Sequence, residues 1–134
     1  MSINSIRTAL ESGIAGMSPT IATVWENTEY TPVTGTPYQR LYLLSADPGN
    51  NEFGPIHLEQ GIFQVSLFYP LGAGTAAAAA RAELIRTTFK RFNTFSSGGV
   101  DVNIHKTPHI KQARRDEDRW MLPIDISYFA HLTS

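Results

Sequence analysis

From Trp120 to Phe129 the chain alternates with a strict period of two. Trp120, Leu122, Ile124, Ile126 and Tyr128 fall on one side, Met121, Pro123, Asp125, Ser127 and Phe129 on the other. Side chains of a strand point to opposite faces in turn, so a run of this kind demands a sheet whose apolar face is covered by something else. Pro123 has no amide to give to a ladder, which predicts a bulge or an unpaired side beside it. A second run, His57 to Tyr69, repeats the pattern, with Phe63, Val65, Leu67 and Tyr69 on one face and Gln64 and Ser66 on the other.

The cover is found in two helical segments. Ile3, Ile6, Leu10 and Ile14 recur at spacings of three and four, one face of a 3.6-residue period. Ser2 or Asn4 is suited to cap that helix, and Gly13, Gly16 and Pro19 weaken and end it. Thr75 opens the second helix, which places Ala77, Leu84, Ile85, Thr88, Phe89 and Phe92 on one side and Glu83, Arg86 and Lys90 opposite. Arg81 falls inside its apolar arc, so either its stem snorkels outward or the first turns lie past the sheet edge.

Shorter strands fill the rest: Ile21 to Trp25, Tyr38 to Ser45, Val100 to Ile104, and a candidate over Ile110 to Arg115. Residues 26–37 form a Thr- and Pro-rich loop, 47–54 a turn cluster, Phe95 to Gly99 a turn, and 116–118 the turn before the last strand. The expected fold is α+β, a single domain over residues 1–134. Its two helices pack on one face of a mainly antiparallel, or mixed, sheet of five to six strands. The loops at 26–37 and 47–56 are expected to project beyond that sheet.

Composition then closes off whole classes of chemistry. The 134 residues include no cysteine, which removes disulfides, iron–sulfur clusters, thiolate zinc sites and cysteine nucleophiles together. The formal charge of -1 offers no overall attraction to DNA, RNA or anionic lipid. The first residues lack a basic stretch followed by an apolar run, so no signal peptide is expected. The longest alanine-rich stretch, Ala76 to Ala80, is far short of the roughly 20 residues that span a bilayer. Charge is uneven along the chain: residues 1–73 carry two basic and six acidic groups, net -4, and residues 74–134 carry nine and six, net +3. On a chain that docks onto copies of itself, such a split favours one orientation.

No catalytic constellation emerges. The glycines of 70–75 lack the lysine of a phosphate-binding loop, and no GxSxG or HExxH sequence occurs. His105 and His109 flank a Thr-Pro turn, with Asp101 or Asp116 as distant candidates for completing a metal site. Histidines hydrogen-bonded locally at a turn explain them more simply. Asp116, Glu117 and Asp118, set between Arg115 and Arg119, fit a solvated hairpin tip better than a pair of working carboxylates. Basic groups gather late on the second helix and around Lys106 to Arg119, but interleaved acids argue against a nucleic-acid stripe.

Several stretches carry a likeness to a known family. They are Trp25-Glu26-Asn27, the Thr36-Pro37 step before a strand, and Phe68-Tyr69-Pro70 followed by Gly72 and Gly74. The closing segments GGVDVNIHKTPHI and RWMLPIDISYFA fit as well. Over essentially its whole length the chain resembles a small phage-related family similar to the tail terminator, or tail completion, proteins of long-tailed phages such as lambda. The resemblance implies an α+β subunit of a hexameric ring at the head-proximal end of the tail tube, which stops tube polymerisation and offers the docking surface for the head connector. It implies no enzyme activity, no cofactor, no metal and no small-molecule or membrane partner. Its partners would be further copies of the chain, the tail tube protein and the head–tail connector protein, first in the host cytoplasm and then in the virion tail. Another minor tail or head–tail joining protein would share these features, and a small-ligand module or enzyme is the remaining alternative. The contact residues expected from the loops and the basic side are Glu29, Asp47, Asn50, Glu52, Arg86, Lys90, Arg114, Arg115, Asp116 and Glu117.

Overall fold

The computed structural model describes residues 3–17, 21–33, 35–46, 56–72 and 74–133. The elements run α1 (Ile3–Ala15), β1 (Ala22–Val24), β2 (Tyr38–Ser45), β3 (Ile56–Pro70), α2 (Ala76–Thr88), β4 (Thr94–Ser97), β5 (Val100–Ile104), β6 (His109–Ile110), β7 (Arg114–Asp116) and β8 (Arg119–Thr133). One sheet joins all the strands in the order β1-β2-β3-β8-β5-β4, with β6 and β7 also on β8. Among the described residues β1 and β2 alone pair in parallel, and the other strand pairs are antiparallel. The fold is thus α+β, with a mixed, mostly antiparallel sheet of six main strands and two short ones.

The two alternating runs are its spine. β3 and β8 are 15 residues each and pair along their full length, from Ile56 opposite Thr133 to Pro70 opposite Arg119. The opposite edge of β8 is lined by β5, β6 and β7 in succession, one strand broken twice. Four residues separate Ile104 from His109 where β8 has only Ser127 and Ile126, and three separate Ile110 from Arg114 where β8 has Pro123 and Leu122. The second break answers the proline. The Pro123 carbonyl accepts from the Lys111 amide, so the nitrogen that lacks a proton faces this same edge, where the extra residue sits.

Both helices cover one face. α1 lies against β4 and β5, and α2 against β3 and β8. Ile6, Ala9, Leu10 and Ile14 of α1 are buried, as are Ala78, Arg81, Ala82 and Ile85 of α2, against Leu41, Phe63, Val65, Leu67, Ile124, Ile126 and Tyr128 of the sheet. Phe89 sits at the junction, its ring 6.1 Å from that of Phe63 and 4.8 Å from that of Phe95. Gly13 makes this junction possible, because a Cβ there would stand 2.8 Å from Cζ of Phe89. It is a seat for an aromatic ring as well as a weak point in a helix.

Four local expectations are corrected. Thr94–Ser97 is a strand rather than part of a turn, the turn being confined to Gly98 and Gly99, both at positive φ. The segment 110–115 is split between β6 and β7 by the bulge described above. The buried arc of α2 runs through Ala78, Arg81, Ala82, Ile85 and Phe89, leaving Ala77 and Phe92 exposed; the alanine run gives too little contrast to fix the wheel. Arg81 neither snorkels nor overhangs the sheet. It is 5% exposed and donates to Oε1 of Gln39, whose Nε2 donates to the Thr23 hydroxyl, and burial lowers its pKa.

Candidate assembly surfaces

The face of the sheet away from the helices carries four cross-strand rows. They are Tyr38, Phe68 and Met121; Arg40, Ser66 and Pro123; Tyr42, Gln64 and Asp125; and Leu44, Ile62 and Ser127. With no helix over it, twist makes this face a shallow concavity of about 640 Å³, bordered on the β7 side by Lys111, Gln112, Arg114 and Asp116. Asp125, on the same face, ties two of the lining residues together, accepting from Nε2 of Gln64 at 3.0 Å and from Nζ of Lys111 at 3.1 Å.

The loop 26–37 packs against one end of this face through Tyr30, while most of its described residues are exposed. Tyr38 stacks on Phe68 with ring centroids 4.7 Å apart, and Tyr30 leans on Tyr38 from the loop. Val24 and Met121 complete this satellite core. Arg119, 5% exposed, lies beneath with its guanidinium over Tyr38 and donates to the carbonyls of Val33 and Thr36. At the loop's start Glu26 accepts from Nη1 of Arg7 at 2.9 Å and from the Leu43 amide at 2.8 Å. The Leu43 amide first, and then the Arg7 guanidinium, hold its carboxyl below the ordinary value. This carboxylate also occupies an edge amide of β2 beyond the short β1, where an unpaired strand would otherwise invite pairing. The Trp25-Glu26-Asn27 motif, with Asn27 at φ +61° and Thr28 bonded back to the Trp25 carbonyl, is therefore a structural corner.

A third surface is apolar. Between α2 and the broken strand lies a groove of about 320 Å³ lined by Ala78, Ala79, Ala82, Ile110, Ala113, Trp120 and Leu122, with Thr75, Glu83 and Gln112 at its margins. Alanines on the first turns of α2 are too short to fill the gap to the sheet. Through Thr75 and Trp120 the groove meets a smaller hollow formed by Pro70, Leu71, Gly72 and Gly74. Beyond the other end of α2, Phe92 is 76% exposed at φ +76°.

The expected contact residues are scattered over these surfaces. Glu29 is exposed on the tethered loop, and Asp47, Asn50 and Glu52 lie outside the described residues. Arg114 and Asp116 border the concave face, whereas Arg115 alternates to the other side and donates to the Glu117 carbonyl across the tight turn. Arg86 straps α2 to the first break in the edge strand through the Pro108 carbonyl, and Lys90 is exposed just past the helix. In the sequence Arg119 reads as one more basic group, and Phe92 falls on the apolar side of the α2 wheel. Nothing in their immediate sequence marks a buried tether or an exposed knob.

Among the described residues no three His, Asp or Glu side chains gather to hold a metal. His105 and His131 both meet the Phe129 ring edge-on, and His57 pairs with Glu59. No helix among the described residues is long and apolar enough to cross a membrane.

Among the described residues the helices cover one face of the sheet, and the other presents a shallow, partly charged concavity beside an aromatic satellite core. The family model for phage tail terminator protein matches residues 5–128, and the chain belongs to that family. A solved structure is similar at 25% sequence identity, covering 100% of this chain and 99% of that one with a TM-score of 0.80. The search of curated proteins found no match. The protein is a phage structural protein of the tail terminator class.

Proposed function

We propose that the chain, with residues 1–134 as one domain, is the subunit of a closed ring, six copies in the assembled tail. The ring caps the tail tube, ends its polymerisation and presents the surface to which the head connector docks. Assembly takes place in the host cytoplasm, and the ring stays in the virion tail. The observation that carries this reading is the strand order. One end of the sheet is the short parallel strand β1 and the other is the hairpin strand β4, so the two lateral sides of the molecule are unlike. Unlike sides favour head-to-tail contacts between copies, and a head-to-tail contact that closes makes a ring and stops lateral growth. Stacking along the tail axis then needs a separate surface, and the bare concave face supplies one. Glu29, Arg86, Lys90, Arg114, Arg115, Asp116 and Glu117 are proposed as partner contacts, together with Asp47, Asn50 and Glu52.

Sedimentation across protein and salt concentration tests this directly. The expected result is a discrete species of six times 14.8 kDa, about 89 kDa, alone or on purified tail tubes, weakening as salt screens the lateral charges. A chain that stays monomeric at every concentration and does not bind the tube overturns the reading.

A further inference from the structure

We infer that Phe92 of one copy inserts into the α2 groove of the next, and that this knob-and-groove pair is the lateral contact of the ring. The inference rests on the ring reading and names the surface it uses.

Phe92 is built as a knob. Its amide donates to the Ile104 carbonyl at 3.1 Å, and the Asn93 amide and side chain bond back to Lys90 and Thr88, so the backbone carrying it is fixed. Its φ of +76° lies in the left-handed region, which costs a non-glycine residue energy and persists where something else repays it. The ring nevertheless points to solvent, 76% exposed, with the Arg91 guanidinium over it at 4.4 Å. A large apolar group held rigidly outward loses little freedom when it enters a partner.

The groove is built to receive it. Ala78, Ala82, Ile110, Ala113, Trp120 and Leu122 form an apolar cleft of about 320 Å³. An apolar space of about 150 Å³ already accepts benzene. A copy does not fill its own groove, because the groove draws on the first turns of α2 while Phe92 lies past the last, about 15 Å on at 1.5 Å per residue. Charge agrees as well. Lys90 and Arg91 flank the knob, and Glu83, its side chain 64% exposed and 3.7 Å from Nη1 of Arg86, stands on the rim of the groove where it can exchange that surface pair for one across the contact. One knob and one groove per copy, each used once, is a head-to-tail contact, and ring closure consumes both.

The test places a photoreactive benzophenone amino acid at position 92, which keeps an aromatic knob, under conditions where the wild-type chain forms its ring, on tail tubes if the tube is required. The expected result is a covalent ladder, with cross-linked peptides from 75–83 or 110–122. Cross-links that stop at dimers, or that map elsewhere, overturn the inference. The second variant is Phe92→Gly, whose backbone suits φ +76°. Its monomer is expected to melt at or above the wild-type temperature while ring formation weakens about tenfold or more. A Phe92→Gly chain that forms the ring as readily as wild type overturns the inference and leaves the ring reading standing. A wild-type chain that forms no ring, alone or on the tube, fails the ring reading itself.

Discussion

Arg119, the first residue of β8, donates to the carbonyl of Val33, 86 residues earlier, at 2.7 Å. With its second bond to Thr36 and its guanidinium over the Tyr38 ring, this buried side chain fastens the loop 26–37 to the sheet. Arg119→Ala removes two charge-assisted bonds and the floor of the satellite core, and is expected to cost about 2–4 kcal/mol. Arg119→Lys keeps the charge without the fork and should recover part of that. Thermal melting measures the loss, and limited proteolysis should show new cleavage within 26–37. Unchanged melting with an unchanged digestion pattern would show that the loop is held by other contacts.

Two glycines set a contest between helix or strand propensity and space. Gly13→Ala gains up to about 1 kcal/mol of helix propensity. Its new methyl group, however, stands 2.8 Å from Phe89 and 2.9 Å from Phe95, inside a packed core where overfilling costs about 1–3 kcal/mol. A net loss is expected. Gly61→Ala is worse, because its Cβ would meet the Leu44 carbonyl oxygen of the neighbouring strand at 2.2 Å and backbone cannot step aside as a ring can. Denaturant titration should rank Gly61→Ala below Gly13→Ala, and both below wild type. A Gly13→Ala protein more stable than wild type would mean the Phe89 junction is loosely packed.

The sequence was legible where period and chemistry agree. β3 announces its extent, β3 and β8 announce their buried faces, and Pro123 announces the bulge, because each follows from local alternation and a missing amide. β8 itself runs on to Thr133, past the Phe129 at which its alternation is expected to end. α2 was harder to orient. Ala76 to Ala80 looks alike all round, so the wheel turned by about one residue, and Arg81, Ala77 and Phe92 were all misjudged with it. The bare face shows in the sequence only as the polar half of each alternating run. What assembles it is register over long separations, which brings Arg40 beside Ser66 and Pro123. The tether at Arg119 and the chain from Thr23 through Gln39 to Arg81 have the same cause: each joins residues that share no local signal.

Acid stability should report on Glu26 and Glu11 with opposite sign. Hydrogen bonds from the Leu43 amide and Arg7 hold Glu26 below its ordinary value of 4.5, so folding favours its carboxylate. Its contribution is full above 4.5 and is lost as pH falls through the depressed folded value. Burial raises Glu11 above 4.5, so its contribution is present below that value and is lost as pH rises through the raised one. Glu26→Gln should lower stability near neutral pH by on the order of 0.5–1 kcal/mol, reduced from a buried pair because the side chain is 35% exposed, and flatten the acid limb. Glu11→Gln should raise stability near neutral pH and have no effect in strong acid. Parallel pH profiles for the two variants would rule out this assignment.

The concave face offers the sharpest separation between folding and assembly. Arg40 and Arg114 line it, Arg114 exposed and Arg40 half-buried beside Ser66 and Pro123; Arg40 lies 6.0 Å from the centre of the Tyr38 ring. Arg114 is exposed and Arg40 lies at the border of the satellite core, over the Tyr38 ring, so their charge serves the surface more than the fold. The double variant Arg40→Glu, Arg114→Glu is expected to melt within about 0.5 kcal/mol of wild type, as surface changes generally do. If copies associate through their lateral sides and stack through this face, the variant should still form the ring. It should bind one of its two axial partners, the tube protein or the connector, at least about tenfold more weakly, and lose most of the salt dependence of that step. Sedimentation gives the first quantity and a binding titration against each partner the second. Intact binding to both partners would remove the face from stacking. Loss of the ring with both bindings preserved would make the bare face the lateral contact instead.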